Sequence, residues 1–270
     1  MKLFACDLDG TLFNYFHTTD FIILHAIRKV LKRGNFFTIA TGRNMHEEQM
    51  QDKFKDLPIY CLCMNGARVL DSKFNVVYEK WIDKAFIQEI METFPTLNLE
   101  FNSRTCTYIR CSEEEFLKNH AKVSYFRKKS HDSFFKQYRF SASEETILKD
   151  DIFKINCGLT DLSLKEEFEA FIAAHASSVI NAPYAIGYYE LTDASVNKGR
   201  SLQILAQSLS LTNDDVNVYG DGYNDIVMLR TFQHAFVPEN GCDQAKEHAE
   251  KIIGKNTHYS VPRHMLKHSK

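Results

Sequence analysis

Residues 3–12 read Leu-Phe-Ala-Cys-Asp-Leu-Asp-Gly-Thr-Leu. Four apolar residues stop at a pair of aspartates spaced two apart, followed by a glycine and a threonine. A short, uniformly apolar run suits a strand buried on both faces, the habit of parallel sheets. Runs at Phe36–Ala40, 59–64, Val216–Tyr219 and 235–237 behave alike, each breaking off into polar, small or glycine residues. Helical patterns fill the gaps at 20–32, 44–54 and 225–232. The alternation predicts an α/β fold built on a doubly wound, mostly parallel sheet.

The rhythm is interrupted between residues 82 and 190. A helix is expected at 83–94 and a hairpin from the runs 97–102 and 105–111. A charged helical stretch follows from Glu113, then a strand at 152–157, a helix at 164–174, and strands near Val179–Asn181 and 186–191. This predicts an inserted α+β cap over residues 83–190, with one core domain formed by 1–82 and 191–270.

Composition narrows the function. The 270-residue chain carries 33 Lys+Arg against 35 Asp+Glu, so bulk charge offers no attraction to nucleic acid. No apolar stretch approaches the roughly 18–20 residues of a membrane span. Asp7 interrupts the N-terminus before the roughly 7–15-residue apolar region of a secretory signal can form, so the cytoplasm is the expected compartment. Seven cysteines, several in apolar runs, read as reduced and mostly buried thiols. Cys61 and Cys63 lack zinc-type spacing, and His248, His258, His264 and His268 lack a complete ligand set and are expected at the surface.

In open α/β sheets ligands bind beyond the carboxyl ends of the strands. There the sequence places Asp7, Asp9, Gly10 and Thr11; Thr41, Gly42 and Arg43; Asn65 and Gly66; and Gly220, Asp221, Gly222, Asn224 and Asp225. Folding gathers Asp7, Asp9, Asp221 and Asp225 at one edge, where mutual repulsion calls for a cation. An all-oxygen carboxylate set suits Mg²⁺, which bridges to phosphate. Glycines and a helix N-terminus near Asp225 add anion-binding N–H groups. Lys198, ahead of a helical pattern at 200–209, either faces that phosphate or is simply solvated.

The segments Asp7-Leu8-Asp9-Gly10-Thr11, Thr41-Gly42-Arg43, Asn197-Lys198-Gly199 and Gly220-Asp221-Gly222-Tyr223-Asn224-Asp225-Ile226 with Met228-Leu229 resemble, in order and spacing, the four motifs of the haloacid dehalogenase-like (HAD) phosphohydrolases. The arrangement most resembles the Cof-like branch, with its large α/β cap inserted after the third core strand. The resemblance spans nearly the whole chain and implies a Rossmann-like core. It further implies that Asp7 is a nucleophile forming an aspartyl-phosphate, and that Asp9 first protonates the leaving alcohol and then activates water. Thr41 and Lys198 would hold the phosphoryl oxygens, alongside Gly10, Gly42, Arg43 and Asn65. Asp7, Asp221 and the Asp9 backbone carbonyl would bind Mg²⁺, with Asp225 ligating directly or through water and Asn224 positioning the site. A downstream segment, Asn240-Gly241 with Lys246 and Ala249, departs from the family pattern at Gly241, as does Ser260-Val261, so Asn240 carries little weight as a substrate contact.

Blander readings stand beside these. Thr41-Gly42-Arg43 also suits a helix-capping turn, and Asn65-Gly66 a plain turn. The basic, aromatic segment 118–139 reads as a solvated cap face, as a surface attracting anionic substrates, or as a nucleic-acid contact. Arg104, Arg110, Arg139 and Lys154 are weak candidates for substrate choice. The expected activity is hydrolysis of a small phosphorylated metabolite, a sugar phosphate first. A phosphotransferase or phosphomutase sharing the intermediate is the alternative, and a non-catalytic phosphometabolite-binding regulator ranks below both.

Overall fold

The apolar run Leu3–Cys6 is a strand buried along its whole length. Its neighbours are visible in a computed structural model that describes residues 1–55, 57–120, 137–159, 161–183 and 187–270. In chain order the strands are β1 Leu3–Cys6, β2 Phe36–Ala40, β3 Tyr60–Cys63, β4 Arg68–Leu70, β5 Val76–Glu79, β6 Leu99–Ser103, β7 Thr107–Ile109, β8 Tyr138–Arg139, β9 Ile152–Gly158, β10 Val179–Asn181, β11 Tyr188–Asp193, β12 Val216–Tyr219, β13 His234–Pro238 and β14 Lys251–Ile253. Met1–Lys80 and Val196–Lys270 form one compact unit, and Trp81–Ser195 a second. Ile82 and all of β11 thus belong to the second unit.

In the first unit the sheet runs β14-β13-β12-β1-β2-β3-β4-β5. The pairs from β14 through to β3 are parallel, and β4 and β5 add an antiparallel edge. The sequence reading did not anticipate β4, β5, β14 or the closing helix Ser260–His268. Strand order reverses between β1 and β12, the point at which such sheets open a crevice. Leu3 and Ala5 pack with Leu202, Leu205, Met228 and Leu229, which belong to helices Lys198–Ser208 and Ile226–Thr231. On β1's alternate positions, Cys6 Sγ lies 3.7 Å from Met265 Sδ of helix Ser260–His268. Helix Phe21–Lys32 starts where Asp20 accepts from the Ile22 and Ile23 N–H groups, and it buries Ile23, Ala26, Ile27 and Val30 at helical spacing. The helix expected at 44–54 begins only at Glu47, because His46 is extended (φ −102°, ψ 160°) and caps it.

The second unit holds a sheet ordered β10-β11-β9-β6-β7-β8. Helices Lys84–Thr93, Glu144–Lys149 and Lys165–Ala174 supply Ile87, Ile90, Ile147 and Phe168 to a core shared with Leu99, Phe101, Ile155 and Leu191. Two basic candidates for substrate choice are structural here. Lys154 is buried in an ion pair with Glu190 at 2.5 Å, and Arg110 donates to the carbonyls of Met91 (3.0 Å) and Phe94 (2.8 Å). Residues 121–136 of the basic, aromatic segment lie outside the described residues, as does Ile186 of the expected strand 186–191. No helix of the described residues is long and apolar enough to cross a membrane.

Two of the C-terminal histidines, expected at the surface, are only partly exposed. His264 and His268, one helical turn apart, stack with ring centroids 4.1 Å apart, and His264 packs on Phe236 at 4.2 Å. The Tyr219 hydroxyl lies 3.0 Å from His264 Nδ1. Burial, then the charges of His268, Lys251 and Lys267, push His264 down to about 4. The unfolded chain, with an ordinary histidine near 6.5, takes up a proton over a range where the folded chain refuses it. Stability is therefore expected to fall as pH drops from about 6.5 towards 4. In thermal melts across that range, His264→Gln should flatten the acid-side loss.

Candidate active site

Backbone N–H of Asp7 continues the β1–β12 ladder by donating to Tyr219 O at 2.9 Å. The chain then closes a tight turn over Leu8–Leu12, in which Gly10 is left-handed (φ +79°). A Cβ on Gly10 would collide with the Asp221 carboxylate, so only glycine lets the turn approach the loop after β12 so closely. Thr11, wholly buried, donates its hydroxyl to Asp221 Oδ1.

Asp7, Asp221 and Asp225 each present a carboxylate oxygen within 4.8 Å of the others. Lys198 penetrates this group, donating to Asp7 Oδ1 at 2.7 Å and Asp225 Oδ1 at 2.6 Å. It is the first residue of helix Lys198–Ser208, whose N-cap Asn197 accepts from Arg200 N–H. At 1% exposure Lys198 is not the solvated lysine that one sequence reading allowed. Asp225 Oδ2 meanwhile accepts from the N–H groups of Asp221 (2.9 Å) and Gly222 (3.0 Å), which fixes the loop.

One ammonium cannot balance three carboxylates, two of them buried and Asp221 partly so. Burial pushes Asp7 well above the ordinary carboxylate range; Lys198 opposes the rise, and Asp225 and Asp221 add to it. Burial and then the Asp225 charge push Asp221 up to about 7. Burial alone would discharge Lys198, but Asp225 and Asp7 hold it firmly protonated. The surplus negative charge and the all-oxygen donor set fit a hard divalent cation.

The fourth carboxylate lies outside that 4.8 Å group, although its charge still raises both Asp7 and Asp221. Asp9 was expected to converge with the other three, yet its side chain accepts from Arg43 Nε (2.7 Å) and Nη2 (2.5 Å). His17 Nδ1 lies 3.1 Å from Asp9 Oδ1. Burial raises Asp9, but the Arg43 hydrogen bonds and charge, with His17, outweigh it and hold the carboxyl below its usual range. The turn accounts for the different partners: at Asp9 (φ −80°, ψ 122°) the chain has left the strand, so its side chain meets Arg43 while that of Asp7 meets Lys198.

The remaining candidates surround this pair of clusters. Thr41 is buried, and its hydroxyl accepts from Arg43 N–H at 3.1 Å. Gly42 lies between them. Asn65 is left-handed (φ +57°) and buried, donates its N–H to Thr41 O at 3.1 Å, and accepts from Asn224 Nδ2 at 3.2 Å. Asn240, given little weight from sequence, donates to Gly10 O at 2.7 Å and accepts from Asn256 N–H at 3.0 Å, bracing the turn. Thr11 and His17 were missed as contact residues. Thr11 could have been found from its place in the first motif, whereas no local pattern marks His17.

The sequence profile of the haloacid dehalogenase-like hydrolases matches residues 4–265. The chain belongs to that family and is an enzyme of it. A relative from Buchnera aphidicola is 28% identical over 272 residues, covering 97% of this chain and 96% of that protein. The 5-amino-6-(5-phospho-D-ribitylamino)uracil phosphatase YwtE of Bacillus subtilis is 24% identical over 277 residues, covering 97% and 96%. Among solved structures, a haloacid dehalogenase-like hydrolase from B. subtilis superposes with a TM-score of 0.83 at 22% identity, covering 99% of each chain.

Removing Lys198 would leave two buried carboxylates facing each other. Lys198→Met is expected to cost about 3–5 kcal/mol of stability at neutral pH, read by urea unfolding. A loss below about 1 kcal/mol would mean that the buried pairs are not formed in solution.

Proposed function

We propose that this hydrolase is a Mg²⁺-dependent phosphatase of a small phosphorylated metabolite, a sugar phosphate or a similar phosphomonoester. The observation that carries the reading is Lys198 held between Asp7 and Asp225 inside a surplus of carboxylate charge. A nucleophile, a cation for phosphoryl oxygens and an oxygen-rich metal niche then lie within one cluster. The relative YwtE, named for a substrate with a phosphoribityl group, supports this substrate class.

Lys198 engages Oδ1 of Asp7, which leaves Oδ2 to attack phosphorus. The new Oδ2–P bond forms as the P–O bond to the alcohol breaks, and Asp9 gives its proton to the departing oxygen. Asp9 then takes a proton from water as that water's oxygen attacks the aspartyl-phosphate. The Oδ2–P bond breaks, and Asp7 is restored with release of inorganic phosphate. Lys198 and Thr41 hold the phosphoryl oxygens, and Asn224, tied to Asn65, steadies the loop beside Asp225. Mg²⁺ bound by Asp7, Asp221 and Asp225, with the Asp9 carbonyl, would supply the positive charge that offsets the phosphoryl oxygens and keeps Asp7 ionised. We place the enzyme in the cytoplasm, in keeping with seven free thiols.

Phosphate release should be measured on sugar phosphates, pyridoxal phosphate, nucleotides and p-nitrophenyl phosphate, with Mg²⁺ or with EDTA. Turnover is expected with Mg²⁺ and no added acceptor, to vanish with EDTA, and to fall about a thousandfold or more in Asp7→Asn. Release only in the presence of a sugar acceptor would make the enzyme a phosphotransferase instead.

A further inference from the structure

Asn14 organises the turn that follows the first motif. Its side-chain carbonyl accepts from the N–H groups of Phe16 (3.0 Å) and Thr18 (3.3 Å), and its backbone carbonyl from His17 N–H at 3.0 Å. Its amide donates to Asp20 Oδ2 at 3.0 Å, anchoring the turn to the cap of helix Phe21–Lys32. The turn holds His17 at φ +55°, a left-handed conformation uncommon for a residue with a Cβ. The side chain is 70% exposed, so core packing does not explain the constraint. A constrained residue without a packing role directs attention to what its side chain touches.

It touches Asp9. His17 Nδ1 donates to Asp9 Oδ1 at 3.1 Å. From the other side Arg43 donates Nη2 to Oδ1 and Nε to Oδ2. Arg43 is itself fixed, by its N–H on Thr41 Oγ1 and by its guanidinium carbon 5.5 Å from the Phe13 ring centroid. Oδ1 therefore receives two donors and Oδ2 one. A carboxylate oxygen offers two lone pairs, so the arrangement fills Oδ1 and leaves one acceptor direction on Oδ2.

We propose that His17 is a positioning residue for Asp9: it closes the clamp begun by Arg43 and makes Oδ2 the oxygen that exchanges a proton with the leaving group. The proposal rests on the reading of Asp9 as proton donor given above. In the step concerned, the O–H bond at Oδ2 breaks and its proton passes to the ester oxygen as the P–O bond breaks, while His17 keeps its own proton. A surface contact of this kind adds little stability, so its value lies in orientation.

The test compares kcat/KM, which reports events up to leaving-group departure, for glycerol 2-phosphate and p-nitrophenyl phosphate. The alkyl ester needs a proton donor, whereas the nitrophenolate leaves without one. His17→Gly suits the backbone and removes the donor; His17→Asn tolerates the same backbone and restores an N–H. His17→Gly is expected to lower kcat/KM for glycerol 2-phosphate about tenfold more than for p-nitrophenyl phosphate. Its melting temperature should not fall below that of wild type, and His17→Asn should recover most of the loss. Asp9→Asn, measured alongside, should show the same selectivity more strongly. Equal loss on both esters, or none, in His17→Gly overturns the proposal while a selective Asp9→Asn leaves the role of Asp9 standing. An unselective Asp9→Asn overturns that role, and the proposal with it.

Discussion

The ammonium of Lys198, buried between Asp7 and Asp225, sets the terms on which the first unit folds. A buried charge is tolerated only where partners meet it at hydrogen-bond distance. Its partners lie 191 and 27 residues away in sequence. The end of β1, the start of helix Lys198–Ser208 and the loop after β12 must therefore meet within about 3 Å. The chain re-enters this unit at Val196, and the Asn197 cap begins the helix one residue later, so little slack separates the return of the chain from the placement of the charge.

Sheet topology makes that meeting possible. β1 and β12 are adjacent parallel strands at the point where strand order reverses, so the loops leaving their carboxyl ends diverge to opposite sides and open a crevice between them. Asp7 continues the alternation of Leu3 and Ala5, both packed in the core to which helix Lys198–Ser208 contributes, and the same alternation turns its carboxylate towards Lys198. Gly10 then permits the contact that brings Thr11 to Asp221. The resulting cluster carries more negative charge than one lysine can balance. Stability alone would favour fewer carboxylates, so the surplus reads as a requirement of function.

Much of this was legible in sequence because strand ends that handle phosphate and metal need particular residue types, and parallel strands need unbroken apolar runs. The motifs around Asp7, Thr41, Lys198 and Asp221 stood out on those grounds. Partners were harder to read than residues. Arg68 begins a short strand and is buried against Glu79 at 2.7 Å; Lys154 and Arg110 look like surface charge until Glu190 and the carbonyls of Met91 and Phe94 are seen beside them. His264 and His268 count as polar in any periodicity, yet ring stacking on Phe236 places them against the sheet. His17 is invisible for another reason: its conformation comes from a turn organised by Asn14, and its target lies eight residues back.

The two aspartates of the first motif show what this architecture achieves electrostatically. They are two residues apart, yet the Asp7 side chain is 10% exposed among carboxylates while that of Asp9, facing Arg43, is 40% exposed. Burial and like charge raise Asp7, and an arginine holds Asp9 down. In the roles proposed for them Asp7 must be ionised to attack and Asp9 protonated to donate, so both directions run opposite to those roles in the protein alone. Positive charge added among the three carboxylates would lower Asp7, and a phosphoryl group near Arg43 would weaken the arginine's hold on Asp9.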